Sequence, residues 1–293
     1  MNILIKEYKT KNKRKRKEFN KMANQSHAEQ YVNYLRKVRK VADNTVKAFE
    51  YAWKYFEESG GSEASKVNDV ERWIAAMNEQ GNSAATVKTR VSSVKNYFDY
   101  LILIEAYQGN NPFVGIKTPK TQEHKPDALT DAERMKLLEE AETDDDAAMI
   151  GLMFWMGLRI SEVCALKPGD VQNNIVAVEN GKGGYSRRGP INLPPAARNS
   201  LDRLVSENSP YLFKSQRSDR ITDNGAYRRI SALLQKSGAS TTRSHAGRHS
   251  AASEYVKQGK NPIAITKSFG WHSPTLLNKY TVLSDDDLLS ELI

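Results

Sequence analysis

Six side chains in the second half of the chain have types, and an order, that suit one reaction. Arg159 and Glu162 lie three apart in GLRISE (157–162), and Lys182 stands in NGKGGYSRRGP (180–190). His245 and Arg248 lie three apart in SHAGRHS (244–250), and Tyr280 closes GWHSPTLLNKY (270–280). Two arginines, a lysine and a histidine can hold a phosphodiester and stabilise its pentavalent transition state while a tyrosine phenolate attacks phosphorus. No acidic cluster accompanies them, which argues against the two-metal route to phosphoryl transfer.

Each motif taken singly has a plainer reading. Arg159 and Glu162 fall on one helical face and could be an ordinary surface ion pair. Lys182 lies on a glycine-rich turn, but strand-like residues follow it where a phosphate-binding P-loop needs a helix, so nucleotide binding is not expected. His245 and His249 have the four-residue spacing of zinc ligands, yet no cysteine cluster or intervening glutamate completes a metal set. A helix amino terminus carrying His245 and Arg248 is a better anion site, because free N–H groups and the helix dipole add to the charges.

These residues need scaffolding, and the apolar pattern supplies it. Four helical stripes run between 27 and 104: Tyr31, Leu35 and Val38; Val46, Phe49, Trp53 and Phe56; Val70, Trp73, Ile74 and Met77; Val87, Val91, Val94, Phe98 and Leu101. They predict a small helical domain over 25–108, after a basic tail at 1–24. The proline-containing stretch 109–126 reads as a linker. Beyond it, Thr130 and Glu133 form a capping-box pattern ahead of helices at about 130–142 and 146–156. NIVAVEN and SRRGPINLP predict two strands around a turn at 181–184, and helices resume from about 195. The expected fold is mainly α, with two domains, the second (127–293) mostly helical with a small sheet.

Composition narrows the function classes. With 293 residues and 39% hydrophobic content, the chain can bury one large or two ordinary cores. No run reaches the length of a membrane helix, and the first charges are not followed by the apolar stretch of a signal peptide. One cysteine, Cys164, excludes an internal disulfide. A cytoplasmic protein is expected. The net charge is +9, and nine Lys/Arg against two Glu fall within residues 1–22. That tail, KTKNKRKRKEFNK at 9–21, could meet DNA phosphates or merely solubilise the chain.

GLRISE, the hairpin lysine, HxxR and the late tyrosine, in this order, resemble the tyrosine recombinases of the phage integrase family, and the helices of 27–104 resemble that family's core-binding domain. The resemblance implies that Arg159 and Arg248 clamp the scissile phosphate and that Glu162 is an accessory group. Lys182 would protonate the leaving 5′ oxygen, His245 would assist proton transfer, and Tyr280 would be the nucleophile. It implies a 3′-phosphotyrosyl intermediate and no cofactor, with a homotetramer exchanging strands on paired double-stranded DNA sites through a Holliday junction. Most members carry a histidine nine residues before the nucleophile, and the Cre-like variant carries a tryptophan there. Counting back from Tyr280 gives Trp271, with His272 eight away, so Trp271 is expected in the site as a hydrogen-bond donor. HAGRH departs from the family by setting Gly247 where leucine is commoner. Lys88 and Arg90, on the fourth helix, are expected to bind DNA, setting site preference if that helix enters the major groove. SDDDLLSELI (284–293) is amphipathic and suits docking either on a neighbouring subunit or on its own domain. A type IB topoisomerase and a DNA-binding protein with a decayed site are the rival readings.

Overall fold

The computed structural model describes residues 25–120, 127–179, 186–207, 209–271, 273 and 277. Lys182, His272, Tyr280, the basic tail and the 284–293 segment lie outside the described residues. The chain divides near residue 123 into two units.

Among the described residues four helices build the first unit: α1 (His27–Lys37), α2 (Asp43–Glu58), α3 (Val67–Glu79) and α4 (Ala84–Leu103). Ser26 and Glu29 form a capping box that starts α1, and the Ser83 hydroxyl caps α4. The four stripes form the core, which is unusually aromatic: Tyr31, Phe49, Trp53, Phe56, Trp73, Tyr97 and Phe98 are all buried. Two details differ from the sequence reading. Val38 is 67% exposed, because α1 ends at Lys37 and the chain turns away before the stripe can continue. Asn111 and Phe113, read as linker, are buried on the first core. Phe113 meets the Phe56, Trp73 and Phe98 rings, and Asn111 donates to the Lys95 carbonyl at 2.9 Å.

The second unit is also mainly helical. Among the described residues its α-helices are α5 (Asp131–Glu139), α6 (Asp144–Phe154), α7 (Ile160–Ala165), α8 (Pro195–Ser206), α9 (Asp223–Lys236), α10 (His245–Lys257) and α11 (Pro262–Phe269). A three-stranded antiparallel sheet lies between α7 and α8: β1 (Val171–Gln172), β2 (Ile175–Val178) and β3 (Arg187–Pro190). β2 and β3 are the two strands expected; β1 is a short addition pairing Val171 with Val176. Thr130 and Glu133 do form the capping box of α5. Every residue from Asp146 to Phe154 is buried, so α6 is the central helix, and α8 and α10 pack against it. Among the described residues no helix is long and apolar enough to cross a membrane.

Gly247 explains its departure from the commoner leucine. A Cβ there would stand 3.0 Å from the Met153 carbonyl oxygen and 3.1 Å from the Phe154 ring. Here α10 lies directly on the backbone of α6, and glycine permits that approach.

Candidate active site

Three arginines, one carboxylate and the end of one helix converge in the second unit. Gly157 begins the arrangement. Its φ of +65° is in the left-handed region, and a Cβ would collide with the Phe269 ring, so only glycine fits this turn. The turn delivers Arg159 to the amino terminus of α7. Glu162, one turn later, reaches back to accept from the Arg159 backbone N–H at 2.7 Å and from its guanidinium at 2.8 Å. The Glu162 side chain is only 4% exposed, so this is no surface pair.

A second arginine, unforeseen from the sequence, completes the pairing. Arg187 in β3 lays its guanidinium across Glu162, Nη1 on Oε1 and Nη2 on Oε2, both at 2.7 Å. Such a two-pronged fit is what a planar guanidinium offers a carboxylate. Burial by itself would push the Glu162 carboxyl up, but Arg187 and then Arg159 outweigh it and hold it down at about 2. Glu162 therefore stays ionised at neutral pH, and both guanidiniums are held against it.

Arg248 enters from α10, buried among the same elements. It donates to the Gly157 carbonyl at 2.7 Å and to the Phe269 carbonyl, and its guanidinium carbon lies 5.0 Å from the Phe269 ring centroid and 5.4 Å from that of Trp271. Arg187 donates to the neighbouring carbonyl, Ser268, at 2.7 Å. The last carbonyls of a helix have no partner within it and carry its negative pole, so two successive ones at the end of α11 draw in two cations. Gly270 then ends α11 in the left-handed conformation. The Trp271 N–H returns to the Thr266 carbonyl at 2.9 Å, and the indole rests on Phe269 with centroids 4.9 Å apart.

The sequence-predicted residues thus fall into four groups. Arg159, Glu162, Arg248 and Trp271 are brought together around Gly157 and Phe269. His245 is the first residue of α10, one turn before Arg248, and is exposed; its ring lies 6.2 Å from that of His249. Among the described residues no three His, Cys, Asp or Glu side chains gather as a metal site. Lys182 and Tyr280 lie outside the described residues. In the first unit, Lys88 is exposed on α4, whereas Arg90 is drawn onto the Tyr55 and Tyr51 rings, 4.1 and 5.3 Å away, and donates to Asn82.

Among the described residues three guanidiniums are set against one carboxylate, so this cluster carries surplus positive charge and suits an anion. The groove of about 420 Å³ that Arg187 helps to line does not: Leu158, Val176, Val178, Tyr255 and Ile265 make it largely apolar. The strand register shows what the sequence left open about Arg187. It pairs across the sheet with the buried Val178, so it takes the inward face of β3 where an apolar residue would be usual.

Comparison with known proteins identifies what this arrangement belongs to. Residues 127–286 match the phage integrase family, and 28–104 match the phage integrase N-terminal SAM-like domain. The tyrosine recombinase XerA of Pyrococcus furiosus is 31% identical over 86% of this chain and 88% of its own length. The tyrosine recombinase XerC of Herpetosiphon aurantiacus is 28% identical over 89% and 92%. Two solved structures share the fold. The Tn1549 transposon integrase with circular intermediate DNA has a TM-score of 0.70 and 21% identity over 92% of this chain and 100% of that one. A lambda integrase tetramer bound to a Holliday junction has a TM-score of 0.72 and 20% identity over 89% and 77%. The chain therefore belongs to the phage integrase family, the tyrosine recombinases, enzymes that cleave and rejoin DNA strands.

Proposed function

We propose that this protein is a cytoplasmic site-specific recombinase that exchanges strands between paired double-stranded DNA sites. The Tyr280 hydroxyl attacks the scissile phosphorus, forming a 3′-phosphotyrosyl ester and releasing a 5′ hydroxyl. Arg159 and Arg248 neutralise the non-bridging oxygens as charge builds in the pentavalent transition state. Lys182 donates the proton that the departing 5′ oxygen takes up, and His245 serves proton transfer beside Arg248. Attack by a 5′ hydroxyl of the partner duplex reverses the sequence. The ester keeps the energy of the broken bond, so this chemistry draws on no nucleotide cofactor.

The observation that carries the reading is the gathering of Arg159 and Arg248 at one turn. Arg248 donates to the carbonyl of Gly157, two residues before Arg159, in a cluster whose one carboxylate among the described residues is already engaged by two arginines. In this reading Trp271, with its ring against Arg248, takes the position of the Cre-like variant: its indole N–H donates to a phosphate oxygen and its bulk excludes water. Glu162 holds Arg159 in place. Residues 25–108 serve as the core-binding domain, with Lys88 and Arg90 on α4 toward the major groove, and the basic tail at 1–24 adds phosphate contacts. Four copies on two paired sites exchange one pair of strands at a time through a Holliday junction.

The test uses duplexes recovered from a randomised pool as covalent adducts with the wild-type chain. Two such duplexes, differently labelled, are incubated with the protein without nucleotide. Recombinant strands and a four-way junction are expected. Relaxation of a plasmid lacking the recovered sequence, with no strand exchange, would make the protein a type IB topoisomerase instead.

A further inference from the structure

Arg187 is more deeply enclosed than Arg159, one of the two arginines expected from the sequence to bind phosphate. Its side chain is 8% exposed, against 21% for Arg159. Both Nη groups bind Glu162 and Nε binds the Ser268 carbonyl, so three of its five N–H donors are spent on groups of the protein. Each Glu162 oxygen accepts from both arginines: Oε1 from Arg159 Nη1 and Arg187 Nη1, Oε2 from the Arg159 backbone N–H and Arg187 Nη2. Arg187 thereby ties together β3, the start of α7 and the end of α11. The carbonyl next to its acceptor, that of Phe269, belongs to Arg248. The two arginines of the proposed site are thus referenced to each other through this side chain as well as through the Gly157 turn.

We propose that Arg187 is a positioning residue for catalysis, resting on the recombinase reading above. It fixes Glu162, and through it the Arg159 guanidinium, relative to the end of α11 where Arg248 is anchored. Both arginines then face one phosphate. Lysine cannot replace it, because a single ammonium cannot fork across both carboxylate oxygens and also reach the Ser268 carbonyl.

The test is a double-mutant cycle in the full chain, read as single-turnover cleavage of a nicked duplex. Its sequence is the one recovered as a covalent adduct with the wild-type protein from a randomised pool. Arg187→Lys should slow cleavage at saturating DNA by up to about 10²-fold, the scale of a misplacement near 1 Å. DNA affinity should change far less. In an Arg159→Ala background the same substitution should cost almost nothing, because the group it positions is gone. The Arg187→Lys loss should also persist on DNA whose bridging 5′ oxygen is sulfur, since leaving-group protonation is not what has failed. Equal losses in both backgrounds would make Arg187 an independent ligand of the phosphate and overturn the proposal. Wild-type cleavage by Arg187→Lys would overturn it too, as would rescue by sulfur. If the lysine variant does not hold its fold, Arg187→Gln enters the same cycle. Loss of the folded state in both would make Arg187 a structural clamp only. Failure of the wild type to yield any adduct would instead remove the recombinase reading itself, and this inference with it.

Discussion

Glu162→Gln removes one negative charge from between two guanidiniums while keeping the side chain's shape. The structure sets the size of the effect. In the folded chain the carboxyl is held at about 2, against an ordinary value of 4.5. At about 1.4 kcal/mol per pH unit, that difference is worth about 3 kcal/mol. Breaking a buried ion pair by removing one partner costs about 3–5 kcal/mol, which agrees. Glutamine should therefore lower unfolding stability at pH 7 by about 3 kcal/mol, roughly 6–12 °C in Tm for a unit of this size. The pH dependence carries the sharper signature. Because the folded value lies below the unfolded one, the unfolded chain binds the extra proton first. The contribution of Glu162 is full above about 4.5 and fades as pH falls toward about 2. Urea unfolding of both proteins at pH 7, 4.5 and 3 should give a gap that is widest at pH 7 and narrows with acid. A gap below 1 kcal/mol at pH 7, or one unchanged at pH 3, would refute the claim that this carboxylate is held ionised by Arg159 and Arg187.

Lys182→Ala should cleave about 10²–10⁴-fold slower and recover on DNA with a bridging 5′ sulfur, a better leaving group, whereas Arg159→Ala should not recover; equal rescue would undo the division of roles. Trp271→His should keep substantial cleavage by retaining a donor, Trp271→Ala should lose much more, and His272→Ala should be mild; the reverse pattern in the same assay would put His272 in the site. Deleting residues 1–24 should weaken binding to any duplex and flatten the salt dependence by about 0.9 per lost phosphate contact; an unchanged slope would make the tail a passenger. Gly247→Leu, although leucine is commoner in the family, should lower stability by about 1–3 kcal/mol in urea unfolding, because its Cβ meets the backbone of α6.

Most of the architecture was legible because its causes are local. Stripes such as Val87, Val91, Val94, Phe98 and Leu101 state both the helix and its buried face, and Thr130 with Glu133 states where α5 starts. Val38 misled because periodicity does not say where a helix stops. Phe113 misled because a proline-containing stretch can return to a core without being helical. At the site, Arg159, Glu162 and Arg248 announced themselves by type and spacing. Arg187 did not, since its partner lies twenty-five residues away and its meaning depends on which face of β3 it takes. The difference between a surface pair and a buried two-arginine clip also needs tertiary packing: nothing in GLRISE tells that Glu162 is enclosed from the far side.

Tyr280 as nucleophile is the central claim, and one measurement meets it directly. Wild-type protein and Tyr280→Phe are incubated with a nicked duplex carrying the sequence recovered from a randomised pool, denatured, and digested for peptide mapping. The wild type should yield an adduct on the peptide containing Tyr280, joined to a 3′ phosphate, with a free 5′ hydroxyl on the other strand end. Tyr280→Phe should bind the same duplex with similar affinity and yield no adduct. A denaturation-resistant adduct in the phenylalanine variant, or a wild-type adduct mapped to another residue, would contradict the account.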